Sequence, residues 1–264
     1  MRGLIEYWTR VYDARFYWST LAKIDLKNKF RRSKLGILWV CVNPLCLTII
    51  MAVVFSVAFH QELSSYAPYI LSGILCWNVF IDSLIAGSSS ILGSGAFIKQ
   101  FNHPIIIYPL KSTIAEIVSF TISMLALAIW ELFVNPLNVL IGIVFLIPAI
   151  VVYFCFGWAA TIISSYAGAK YRDYPQLAGL ILQALWYVSP VFMQESMFES
   201  NEMLYKFFLA NPITHMLALV RQPFLYGKSP SLTNYLVSIG FVAVVVFLAY
   251  LIDHKNSKDV IFYI

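Results

Sequence analysis

The chain has 264 residues, of which 60% are hydrophobic and only 12% charged, against about 25% charged residues in an ordinary globular chain. A soluble globule of this size has too little interior to hide so much apolar surface. Composition therefore excludes a soluble enzyme, a disordered chain and a typical nucleic-acid binder, and makes lipid the solvent for most of the chain. The formal net charge is +5, but nine of the 18 Lys and Arg fall within residues 1–34, ahead of an apolar run, as on the cytoplasmic face of a membrane.

In residues 1–34, Leu4, Trp8, Val11 or Tyr12, and Phe16 recur at helical spacing among Arg and Lys. This predicts a cytoplasmic amphipathic helix lying in the membrane interface; the alternative is a plain juxtamembrane tail. No short apolar core with a small-residue cleavage site precedes it, so the first span is expected to be retained.

A bilayer span needs about 20 mostly apolar residues. Runs free of Asp, Glu, Lys and Arg cover 35–61, 63–81, 83–98, 117–130, 132–169, 174–194 and 229–252. They predict an all-α membrane protein with six transmembrane helices, near 35–58, 67–89, 112–130, 138–166, 175–193 and 231–252. The fourth is long enough to tilt or project. The six spans make one domain over 35–252, and 253–264 is a cytoplasmic tail. Lys and Arg alternate between connections: Lys99 and Lys111, then none, then Lys170 and Arg172, with Lys255 and Lys258 in the tail. Both ends are then inside, with 15 of 18 positive charges cytoplasmic.

The remaining three, Lys206, Arg221 and Lys228, lie in an external stretch, 194–230. Met203–Ala210 and Ile213–Val220 are apolar but too short to span, and Asn211-Pro212 breaks the chain between them. Segments of that length read as re-entrant or interfacial helices, here capping a cavity or pore.

Recognisable reaction chemistry is absent from the sequence. Cys41, Cys46, Cys76 and Cys155 sit in apolar runs without a CxxC or a histidine at metal spacing and read as small hydrophobes. Gly227-Lys228-Ser229 resembles the end of a phosphate-binding loop, but position 222, where such a loop has its first glycine, is Gln. No metal site and no bound cofactor is expected. Asp82 and Glu116 fall within spans two and three. A carboxylate at membrane depth is a functional candidate, for instance a proton relay, while Glu116 near the start of its helix also suits the helix dipole and Asp82 suits a water-filled interior. Aromatic residues are numerous. Trp77, Phe80, Trp158, Trp186 and Tyr187 lie mid-span, where rings lining a channel would suit sugar rings and where helix packing is the alternative.

The stretch from Lys29-Phe30-Arg31-Arg32-Ser33-Lys34-Leu35-Gly36 to Trp39, followed by Asn43-Pro44, resembles the entry to the first span of membrane subunits of ABC-2 type polysaccharide exporters, the permeases for O-antigen, capsule and teichoic acid. Further matches follow in order. Phe97-Ile98-Lys99 with Pro104 and Pro109 is similar to the loop between spans two and three. Tyr171-Arg172-Asp173 is similar to a cytoplasmic element before span five. Ser189-Pro190-Val191-Phe192 is similar to the end of that span, and Asn211-Pro212 falls in the re-entrant region. One departure is His103-Pro104-Ile105-Ile106, which has no Arg after the proline.

The resemblance implies a transport subunit, not an enzyme, in the cytoplasmic (inner) membrane. Two copies would form a homodimeric channel with two separate ABC ATPase subunits that carry the ATP and Mg. The cargo would be a polyprenyl-pyrophosphate-linked polysaccharide resembling O-antigen, with no nucleic-acid partner. Loop 90–108 would hold a coupling helix, its contacts drawn from Phe97, Ile98, Lys99, Phe101 and His103. Lys29, Arg31 and Arg32 stand at headgroup level, where a pyrophosphate needs charge-assisted partners; anionic membrane lipids would use the same charges. The alternatives are an ABC-2 permease for a drug or another lipid, or a membrane-embedded enzyme acting on lipid-linked sugars. The enzyme would need an acid cluster that Asp82, Glu116 and Asp173 do not form in sequence.

Overall fold

The computed structural model describes residues 9–31, 33–101, 103–197, 202–257 and 259–263. All regular structure among them is helical. Helix α1, Arg15–Lys29, has no acid in its first turn and ends with Lys27 and Lys29, cations placed where the helix dipole favours them. The chain then reverses. Ser33 Oγ accepts from the Gly36 amide at 3.2 Å and from Trp39 Nε1 at 3.0 Å, and Gly36 takes φ +55°, a conformation open to a residue without Cβ.

Helix α2, Trp39–Phe59, follows and ends at His60 in the left-handed region. Helix α3, Leu63–Leu84, is buried along most of its length and forms the centre of the bundle. Two 3-10 turns, Ala86–Ser89 and Leu92–Ser94, lead to the short α4, Gly95–Gln100. Then come α5, Ile107–Val134, and α6, Pro136–Lys170, joined at Asn135. Helix α7, Tyr174–Val188, is followed by an irregular stretch, then by α8, Glu202–Ala210, α9, Pro212–Tyr226, and α10, Leu232–Asn256.

Among the described residues, five helices are long and apolar enough to cross a bilayer: Gly36–Phe59, Leu63–Ser89, Ile107–Val134, Pro136–Lys170 and Leu232–Asn256. The chain is a multi-pass membrane protein. The six spans expected from the charge-free runs are not all matched. The run over 175–193 holds α7, whose 15 residues rise about 22 Å, short of the roughly 30 Å hydrocarbon core. Ser189-Pro190 stops it, because the residue before a proline avoids helical backbone, and Ser189 is extended, with ψ 153°. The span expected at 112 begins instead at Ile107. Lys111 ended the charge-free run but is no helix boundary, since Asp25 of α1 pairs with it at 2.8 Å.

The main core gathers α3, α5, α6 and α9 around Tyr66, Leu71, Phe80, Met124, Tyr153 and Phe224. A second core, with Val11, Ala14, Ile107, Tyr166 and Val260, binds the N-terminal segment and the chain end to the ends of α5, α6 and α10. We call this second pole, where α1 lies, the basic end, and the pole with the start of α3 the distal end.

Candidate functional site

At the basic end, α1, α2, α3 and α5 enclose a cavity of about 290 Å³. Lys29 closes its mouth, with Nζ 3.2 Å from Asp82 Oδ2. Behind that pair Glu116 is buried and accepts from Ser83 Oγ at 2.6 Å. Asn43 of α2, Asn78 of α3, and Ser119 and Ser123 of α5 complete the polar lining, with Pro44 beside Asn43. Lys29 and Asp82 are 53 positions apart, and their proximity follows from α1 being held against α5 by Asp25 and Lys111. Of the three cations singled out in the sequence, Lys29 thus faces a carboxylate, Arg31 is exposed one residue beyond the cavity-lining Phe30, and Arg32 lies outside the described residues. Arg172 and Asp173 are exposed in the turn before α7, on the same pole.

The loop between α3 and α5 also lies at the basic end. Phe97 and Phe101 are exposed, Ile98 is half-buried against the second core, and Lys99 closes the last turn of α4. His103 packs against Tyr17 of α1 at a tilt of 36° with ring centres 4.6 Å apart, and Phe101 lies 5.7 Å from the same ring. The loop is therefore fixed to α1, with two rings left outward.

The distal end holds residues that sequence reasoning missed. The irregular segment after α7 presents the carbonyls of Pro190, Val191, Phe192 and Met193, and each is taken by a side chain. Tyr66 Oη donates to Phe192 O and Tyr69 Oη to Met193 O, both at 2.8 Å. Arg221 of α9 donates to Pro190 O and, at 2.7 Å, to Val191 O. It also bonds Tyr69 O and Ser72 Oγ and lies 3.7 Å above the Tyr69 ring. Its residue is 5% exposed. Irregular backbone at membrane depth needs such partners. Gly73 makes the approach possible, since a Cβ there would collide with Val191 O and meet the Arg221 guanidinium at 2.6 Å. Only the Ser-Pro break and the small Gly73 hinted at this in sequence; Arg221 reads there as one more loop cation.

The mid-span aromatics separate into two groups. Trp77 and Phe80 are buried in the main core, stacked at 5.3 Å, with Phe80 against Phe156 at 4.5 Å. Trp158 is half-buried beside Phe154 at 6.0 Å. Trp186 and Tyr187 join a ladder running across α2 and α7: Phe59 to Phe55 at 5.6 Å, Phe55 to Phe192 at 5.2 Å, Phe192 to Trp186 at 4.7 Å, and Trp186 to Tyr187 at 5.1 Å. Tyr187 ends it 57% exposed. No group of three or more metal-ligating side chains occurs among the described residues.

The ABC-2 type transporter family model matches residues 17–225 of this helical bundle. The chain belongs to that family. Among curated relatives, this ABC-2 permease is 26% identical over 229 residues to an O-antigen export system permease protein RfbA of Klebsiella pneumoniae, covering 85% of this chain and 86% of the other. A second RfbA from the same organism is 26% identical over 206 residues, 77% and 78% of the two chains. An RfbA of Myxococcus xanthus is 22% identical over 249 residues, 90% and 91%. The family match stretches from α1 to the end of α9, and so includes the cavity, the loop helix and the distal clamp.

Proposed function

We propose that this permease is the transmembrane subunit of an ATP-driven exporter that moves a lipid-linked, O-antigen-like polysaccharide across the cytoplasmic membrane. The observation that carries the reading is the end-to-end similarity to O-antigen export permeases, over up to 90% of this chain. Two copies pair to form the channel. Two copies of a separate ATPase, holding ATP and Mg, seat on the basic ends, which face the cytoplasm together with both termini. The permease itself binds no cofactor.

Geometry supports assigning roles within this frame. Phe97 and Phe101 point outward from a loop braced on α1, as a surface for the ATPase requires, with Lys99, Ile98 and His103 around them. Arg31, exposed just after the cavity-lining Lys29 and Phe30, with Arg32 meets the pyrophosphate. Trp186 and Tyr187, at the open end of the aromatic ladder, offer flat contacts to sugar rings, whereas the buried Trp77 and Phe80 serve by shaping the wall.

Cells lacking this chain test the reading. They are expected to lose the surface polysaccharide while lipid-linked polymer accumulates at the cytoplasmic side, and both effects are reversed by supplying the chain. Normal surface polysaccharide in the deletion, with sensitivity to an apolar drug instead, would favour a drug permease and overturn the proposal.

A further inference from the structure

The basic-end cavity has a lining that neither topology nor ATPase docking explains. Its charges come first. Lys29 is matched by Asp82 at 3.2 Å, which leaves Glu116, buried behind them, as a second carboxylate. Two carboxylates against one ammonium do not favour an anion, so a phosphate belongs outside, near Arg31, and not within. Hydrogen-bonding capacity comes second. The side-chain amides of Asn43 and Asn78 line the cavity and bond to no other group among the described residues. Ser119 and Ser123 donate to the backbone carbonyls of Ala115 and Phe120, so their hydroxyl oxygens remain acceptors toward the cavity. Asn43 is exposed and Asn78 half-buried, so these amides are open to water or to a polar ligand and disfavour an apolar one. Rings come third: Trp39, Phe30 and Phe120 supply flat apolar walls. The volume, about 290 Å³, equals about ten water volumes, at the lower end of small-ligand sites.

Carboxylate acceptors, amide donors and acceptors, hydroxyls and aromatic faces in a space without net positive charge fit a neutral group rich in hydroxyls. The geometry points to this cavity as the binding site for a sugar unit of the cargo, held within one protomer while the adjoining pyrophosphate lies at the basic rim. Asn78, Asn43 and Glu116 are its polar contacts. The inference rests on the polysaccharide reading and adds to it the place where a sugar is recognised before translocation.

The test uses the full chain in nanodiscs and two probes: a short prenyl pyrophosphate carrying one N-acetylhexosamine, and the same prenyl pyrophosphate without sugar. The wild type is expected to bind the sugar-bearing probe at least about tenfold more tightly. Asn78→Leu, nearly isosteric, is expected to abolish that preference and leave the affinity for the sugar-free probe unchanged. Asn43→Leu is expected to do the same and, Asn43 being less buried than Asn78, keeps the test open when Asn78→Leu does not fold. Equal affinity of the wild type for both probes, or variants that keep the preference or weaken both probes alike, would overturn the cavity assignment and leave the export reading standing. Binding of neither probe would contradict the polysaccharide reading itself.

Discussion

Arg221 holds a full charge in the interior with backbone carbonyls and a hydroxyl as its partners, and no carboxylate within ion-pair distance among the described residues. The planar guanidinium suits this, because it presents several donors in a fixed fork and stacks on Tyr69. Removing it leaves the Val191 carbonyl without its donor and Pro190 O with only the Tyr69 hydroxyl at 3.4 Å, at about 1–3 kcal/mol for an unsatisfied buried group, and opens a void beside Tyr69. Arg221→Met is therefore expected to lower stability by about 3 kcal/mol, and Arg221→Lys to recover only part of that. Lys206→Met, on the exposed face of α8, is expected to stay within about 0.5 kcal/mol. Thermal unfolding in detergent, followed by tryptophan fluorescence, checks this; equal midpoints for Arg221→Met and Lys206→Met would refute the clamp. The sequence placed Arg221 among three external cations. A composition rule cannot tell a solvated loop cation from one folded back onto Tyr69 and Pro190, which lie 152 and 31 positions away. The Lys29–Asp82 pair was hidden for the same reason, though both residues were already candidates.

Helices were legible where apolar runs set them. The starts of α2, α6 and α10, and the pair α8 and α9 split at Asn211-Pro212, fall within a few residues of expectation. The Asn211 side chain accepts from the Ile213 amide at 3.0 Å, the cap that a polar residue before a proline offers. Charge counting and packing differ in two places: α5 starts before Lys111, which Asp25 neutralises, and the 175–193 run holds a 15-residue helix, α7, which is not among the five described helices long enough to cross. The connection between α3 and α5 has a consequence at this scale. Its short α4 is braced by Tyr17 and His103, so a docked ATPase would move α1 and the loop together. Lys99→Cys is expected to crosslink to a cysteine on the partner ATPase in membranes, and to stay unlabelled by impermeant reagents added outside. Labelling from outside without any crosslink would invert the topology and refute the docking role.

For the whole molecule, the two poles have different chemistry. The basic end carries α1, the polar cavity and α4; the distal end carries the carbonyl clamp and the aromatic ladder. A cargo with an anionic lipid anchor and a long neutral polymer would meet these in that order. Composition alone fixed the solvent and the all-helical class, and motif order pointed to the family that the comparison over residues 17–225 then showed. Neither could reveal the cavity, whose lining comes from four separate helices. The most direct measurement is transport itself: sealed proteoliposomes containing this permease and the proposed partner ATPase, loaded with radiolabelled lipid-linked polysaccharide in the leaflet exposed to ATP. The account predicts that ATP moves the polymer into a compartment protected from added glycosidase, and that permease without ATPase neither hydrolyses ATP nor protects polymer. Polymer that stays accessible despite ATP hydrolysis by a correctly assembled complex would contradict it.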